Sequence, residues 1–434
     1  MMSASDGVTN DAVWFKDVVV FNSKTGKLSE KSQVLVKNGL IDSVTQGDVT
    51  PANSTGATII DGKGRTLIPG LIDAHWHSTL ATISIGDFLG ADPGFVQIAA
   101  GQSASETLLR GFTTVRDAGG PSFGLKRAID SGLIHGPRIY PSGAFISQSG
   151  GHGDFRSLGE TPRGICGHLN HTELMGATVI ADGVDEVLRG AREQLMHGAS
   201  QIKMMAGGGV SSPYDPIDVS EFTVDELRAG VECAENFGTY VMVHAFTNRA
   251  VRNALEAGVK CIDHGHLINE ETVELIAKKG AVWSLQPILN DADAIPMEGP
   301  SHLKELQVDA GTDNAYNLAK KHGINVAWGT DTLFSPSLAS RQGEQLAKMT
   351  RWYTPAEVLT MATFHNANLL ALSGARNPYQ AGPLGVVEAG AMADLLLIEG
   401  NPLIDINLIA QPDTAMVVIM KDGEIVKNTV TPGA

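Results

Sequence analysis

Eight short apolar runs, separated by helix-like stretches, constrain the fold more than any other feature of this chain. The runs lie in LIDAHWH, TTVRDAG, RIYPSGA, SQIKMMAGG, TYVMVHA, CIDHGH, AVWSLQP and INVAWGTD. Between several of them stand VDEVLRGAREQLMHG, TVDELRAGVECAENFG and NEETVELIAKKG. Each of these three ends on a glycine, the residue that best accepts the left-handed turn closing a helix. Strand and helix in alternation around eight runs predict an α/β fold, a (β/α)8 TIM-type barrel. The two ends read differently. VVVFNSKTGKL, SQVLVKNGLIDSV and ATIIDGKGRTLIPG near the start match ADLLLIEG and AMVVIMKDGEIVKN near the finish. Both are β-rich runs punctuated by Gly, Asn and Asp. They predict a small β-sheet domain built from both termini, with residues 1–66 and 379–434 flanking a barrel over 67–378.

With 434 residues, 43% of them hydrophobic, the chain is long enough for a large core and an accessory domain. Its formal charge of -16, from 48 acidic and 32 basic residues, repels phosphate backbones and argues against a nucleic-acid partner. Cys166, Cys233 and Cys261 are too few and too scattered for a disulfide framework or a cysteine zinc site. The opening MMSASDGVTNDAVWF lacks the basic start and apolar core of a secretory signal. No run has the length of a membrane span. These readings predict a cytoplasmic enzyme without a membrane partner.

Polar residues recur at the carboxyl ends of the runs, the face where barrels gather their chemistry. His75 and His77, two apart on a strand, share one face and can reach one cation. Lys203, His244, His264 and Asp331 occupy the same kind of position on later runs. Singly, each histidine reads as a hydrogen-bonded core residue, Lys203 as a surface lysine and Asp331 as a cap. Six such coincidences together predict a metal site.

These residues resemble the amidohydrolase superfamily across essentially the whole chain. IIDGKGRTLIPGLIDAHWH is similar to that family's entry into the first barrel strand, and GPLGVVEAGAMADLLLIEGNPL to its return into the small sheet. SQIKMMAGGG, DHGH and SQSGGHGD are closest to the dipeptidase and carboxypeptidase branch, which includes prolidase-like and ochratoxin-hydrolysing enzymes. The resemblance implies that His75, His77 and Asp331 bind one divalent metal and His244 and His264 a second. It further implies that Lys203 bridges them as a carbamate. An ammonium beside two cations is electrostatically untenable, and a neutral amine can capture carbon dioxide. Zinc suits the imidazole and oxygen donors best, with manganese or cobalt as substitutes. Two metals about 3.5–4 Å apart share a bridging hydroxide, and Asp331 then serves as proton carrier. His152, in GGHGD, is implied to contact the substrate carbonyl.

The substrate is read less directly. Tyr240, four residues before His244, matches a carboxylate-binding tyrosine of the branch and shares a strand face with His244. A second histidine is expected two residues after His244, where this chain has Phe246. Tyr214 or Arg249 could compensate. The leading expectation is hydrolysis of an N-acyl amino acid or dipeptide-like amide with an apolar or aromatic C-terminal residue, ochratoxin-type amides included. A cyclic amidase or lactonase on the same two metals is the alternative. The H-x-x-E arrangement common in deaminases is missing after His244. His266 is expected to support His264 rather than to bind metal. The resemblance also implies a homo-oligomer, up to an octamer, and the Trp352–Tyr353 cluster reads either as an interface or as core.

Overall fold

The computed structural model describes residues 12–430 apart from Pro213, and all side chains within them except those of Arg163 and Cys166. The outermost residues of the predicted terminal domain, and much of the stretch read for a leader, lie outside the described residues. Cys233 and Cys261 are free thiols.

All eight predicted runs form strands. Three pair in parallel as Leu71–Trp76, Phe112–Asp117 and Arg138–Pro141. The other five, Ile202–Met205, Val241–Thr247, Cys261–Leu267, Val282–Leu285 and Ala327–Trp328, pair in parallel in the same order. Backbone hydrogen bonds join the two groups on both sides. Ser200 N–H donates to Pro141 O at 2.7 Å, and Asp331 N–H to His75 O at 2.8 Å. The ring is thereby closed into a (β/α)8 barrel. Its first four strands are buried along their whole length, as strands covered on both faces must be.

Helices pack outside the ring with the caps the sequence predicts. Val184–His197 and Glu270–Lys279 end at Gly198 and Gly280, both left-handed. Val224–Asn236 opens with a reciprocal Thr223–Glu226 capping box. The sequence reading did not anticipate two short strands. After the third barrel strand, Phe145–Ser147 and Thr178–Ile180 form a short parallel pair, which also joins Ile202–Met205 through Met204. Three-residue strands are too short to show a period.

The termini build one 8-stranded sheet. Thr66–Pro69 from the N-terminal half and Leu395–Ile398 from the C-terminal half run antiparallel at its centre, with Leu395 opposite Pro69 and Ile398 opposite Thr66. Arg138, opening the third barrel strand, ties this sheet to the barrel. Its guanidinium donates to Asp394 Oδ2 at 3.1 Å and Oδ1 at 3.2 Å, and also reaches Asp422. The Trp352–Tyr353 cluster belongs to the core: Trp352 stacks on buried Tyr316 at 4.1 Å and is itself 8% exposed.

Candidate metal centre and substrate cavity

The barrel strands deliver five predicted side chains to one spot at their carboxyl ends, and the turn after the eighth strand delivers Asp331. His75 Nε2 and His77 Nε2 converge on Asp331 Oδ1 at 3.1 and 3.2 Å. His264 Nε2 lies 3.9 Å from the other oxygen of that carboxylate. The rings of His244 and His264 meet edge to face at 4.4 Å. Asp331 (φ 55°) and His264 (φ 76°) both hold left-handed backbone conformations, which side chains with a Cβ rarely adopt. Such strain persists where the surrounding structure enforces it, characteristically at functional sites.

Charge follows the same design. Burial would raise the Asp331 carboxyl, but His75, His77 and His264 outweigh it and hold it well below the usual carboxylate range. Burial holds the imidazoles of His244 and His264 far below theirs. A neutral imidazole with a free lone pair is the metal-binding form. His264 Nδ1 is buried without a hydrogen-bond partner. His75, His77 and Asp331 place three donor atoms within 4.8 Å of one another, so the donor set fits a divalent cation. Lys203 Nζ donates to Asp263 Oδ2 at 2.7 Å, and the other oxygen of Asp263 takes Arg116 at 2.6 Å. Arg116, fully buried inside the barrel, also donates to Ala74 O. Neither Asp263 nor Arg116 was singled out from sequence. The available signal was a charged residue inside an apolar run, in TTVRDAG and CIDHGH.

His152 reaches the site from the loop after Phe145–Ser147. Its ring stacks on His244 at 4.1 Å. Glu221 accepts the His152 backbone N–H at 2.7 Å, and Ser147 Oγ lies 3.3 Å from the same carboxyl. Burial, then the nearby Asp215 charge, push the Glu221 carboxyl up to about 9. Asp215 goes the other way. Burial would raise it, but hydrogen bonds from His152, Ser212 and the Gly209 N–H hold it below the usual range.

Above these residues opens a cavity walled mainly by apolar groups, among them Phe145, Phe155, Phe246, Ile288, Leu333 and Phe334. Phe246 stacks on His264 at 4.8 Å. The remaining substrate expectations need correction. Tyr240 does share the strand face of His244, but four residues of strand place it about 13 Å deeper. There its hydroxyl meets Arg116 at 3.4 Å, and it is absent from the cavity wall. Tyr214 is 42% exposed and borders a separate groove with Ser149 and Arg156. Arg249 is exposed and also stands outside the wall. His266 Nε2 is occupied by Gln286 O at 2.9 Å.

The sequence profile of the Amidohydrolase family matches residues 66–433. This chain belongs to that family. The amidohydrolase is 32% identical over 377 residues to ochratoxinase of Aspergillus niger, covering 83% of this chain and 75% of that one. The crystal structure of A. niger ochratoxinase superposes with a TM-score of 0.83 at 27% identity, covering 96% of both chains. A prolidase crystallised with N-methylphosphonate-L-proline superposes with a TM-score of 0.87 at 33% identity, covering 96% of this chain and all of that one. The amidohydrolase is therefore a hydrolase acting on amide bonds. Among its described residues, no helix is long and apolar enough to cross a membrane.

Proposed function

We propose that this amidohydrolase cleaves the amide of an N-acyl amino acid or dipeptide-like compound whose amine portion is apolar or aromatic. The observation that carries the reading is the convergence of His75, His77 and Asp331 at the floor of a cavity walled by aromatic and aliphatic side chains. Similarity to ochratoxinase and to a prolidase supports the same bond type.

In this reading His75, His77 and Asp331 hold one divalent metal, zinc being the best match, and His244 and His264 hold a second. Lys203, once carbamylated, would supply them with a further anionic oxygen ligand. When bound, the metals supply an activated water and polarise the scissile carbonyl. The protein's own groups do the rest. Asp331, an anion held between two imidazoles, takes a proton from the attacking water and returns it to the departing amine. His152 offers a ring nitrogen to the substrate carbonyl as charge develops there. Phe246, Phe155 and Phe334 exclude water and receive the apolar portion. Asp331→Asn should lower kcat by about a hundredfold or more, because a neutral amide cannot carry the proton. Ordinary turnover in that variant removes Asp331 from the mechanism.

A cyclic amide or lactone is the second reading. Among the described residues, Lys203 is the only lysine or arginine in the cavity wall, so no lysine or arginine outside the metal group waits for a substrate carboxylate. The deciding experiment compares zinc-reconstituted enzyme on N-acyl-phenylalanine with free and blocked carboxyl groups. Cleavage of either form supports amide hydrolysis and shows which end the cavity accepts. Cleavage of neither, by protein holding two metals, moves the assignment to cyclic amides and lactones.

A further inference from the structure

The run of three glycines in KMMAGGGVSSPYD is not accounted for by metal binding or by the cavity wall. In the structure Gly209, Ser212 and Asp215 surround the ring of His152. Ser212 Oγ lies 2.6 Å from His152 Nδ1, and Asp215 Oδ2 lies 3.4 Å from the same nitrogen. Ser212 and Asp215 are both buried, at 1% and 2% exposure. Asp215 Oδ2 also takes the Gly209 N–H at 2.6 Å, which shapes the loop from inside. Gly209 lies flat against the imidazole. A Cβ there would sit 2.0 Å from His152 Cε1 and 2.2 Å from Nδ1. The loop is also held from outside. Lys304, in the helix Gly299–Lys321, donates its ammonium protons to the carbonyls of Gly209, Ser212 and Asp215 at 2.9, 2.8 and 2.6 Å.

An imidazole on a bare Cβ–Cγ bond has a broad, roughly twofold torsional preference. Turned by half a revolution, the ring of His152 would exchange Nδ1 for Cδ2 and Nε2 for Cε1. The cavity would then meet a carbon instead of a nitrogen. A hydrogen-bonding hydroxyl and a carboxylate at one edge distinguish the two orientations, since a C–H satisfies neither. We propose that Ser212 and Asp215 are positioning residues that lock the His152 ring in the orientation presenting Nε2 to the substrate. This rests on the role given to His152 above. Neither residue touches substrate; both act through His152.

The test is a double-mutant cycle. Ser212→Ala, Asp215→Ala and Asp215→Asn are each made in the native and in the His152→Ala background, with metal content and thermal midpoint measured for all. The expected result is a loss of about tenfold in kcat for Ser212→Ala and Asp215→Ala, with KM little changed. Asp215→Asn, which keeps an acceptor oxygen, should recover most of it. In the His152→Ala background the same changes should have no further effect. An equal loss in both backgrounds overturns the proposal, because the residues would then act on the loop and not on the ring. Should Asp215→Ala fail to fold or to hold metal, Ser212→Ala carries the cycle alone.

A second readout is independent of turnover. In ring-15N-histidine enzyme, an imidazole N–H resonance absent from His152→Ala should be present in the native protein and lost in Ser212→Ala. Its persistence in Ser212→Ala and Asp215→Ala also overturns the proposal. If native enzyme cleaves no amide but shows this resonance pattern, the reaction assignment fails while the positioning assignment stands. A fully active His152→Ala variant defeats the positioning assignment and leaves the reaction assignment standing.

Discussion

At the scale of single residues, burial decides chemistry in opposite directions within one site. Lys203 is buried in the same cavity wall as the clustered histidines, its amine donating to Asp263. Lys203→Ala should lower occupancy from two metals per chain to one or none by elemental analysis; two tightly held equivalents with full activity would remove the bridging role. Glu221 makes a different prediction. Its carboxyl is raised from 4.5 to about 9, so the folded chain holds a proton there that the unfolded chain releases above pH 4.5. Its contribution to stability is complete below that pH and is lost as pH rises toward 9. Glu221→Gln, neutral at every pH, should therefore flatten the thermal midpoint between about pH 5 and 9 relative to the native chain. Parallel pH profiles for the two proteins would show that Glu221 is ionised after all. The residue scale also shows where sequence reading stopped. His75, His77, Lys203, His244, His264 and Asp331 were legible because each closes an apolar run. Tyr240 was misread because a period of two reports the face of a strand and says nothing of depth along it. Ser212 and Asp215 were invisible, since contacts across 60 residues leave no local period.

Among elements, the barrel strands were read correctly and the loops between them were not. A buried strand advertises itself through a continuous apolar run and a terminal glycine or proline. A loop is defined by hydrogen bonds to distant partners, and composition alone does not report those. The glycine run 207–209 illustrates the cost of a single atom. Gly209 keeps a backbone without side chain against His152, so Gly209→Ala should push the ring aside while leaving His75, His77 and Asp331 untouched. The expected outcome is retained metal with kcat reduced by about tenfold or more. Unchanged kinetics in that variant would mean that the loop yields without moving the ring. The two residues with left-handed backbones give the elements a further role. Asp331 follows the end of the eighth strand, His264 lies within Cys261–Leu267 just before a break in its register, and the Trp283 indole holds the His264 carbonyl at 2.6 Å.

For the whole molecule, the pairing of Thr66–Pro69 with Leu395–Ile398 makes the two ends of the chain close the same sheet, as their matching β texture implied. What the texture did not reveal is how that sheet grips the barrel. Arg138 and Asp394 are both nearly inaccessible, so Arg138→Ala should leave an unpaired buried carboxylate and cost about 3 kcal/mol or more. A urea midpoint equal to that of the native chain would show that the sheet is held by apolar packing alone. The clamp made by Lys304 reaches further than stability. Its ammonium belongs to the connection between the seventh and eighth barrel strands, yet its three acceptors belong to the loop after the fourth. Barrel enzymes are commonly thought to diversify by swapping such loops one at a time. Here the two cannot be exchanged separately: a fourth-strand loop lengthened by one residue would turn its carbonyls away from the ammonium. The pair is one transferable module, and a graft of either half into another barrel would need to bring its counterpart.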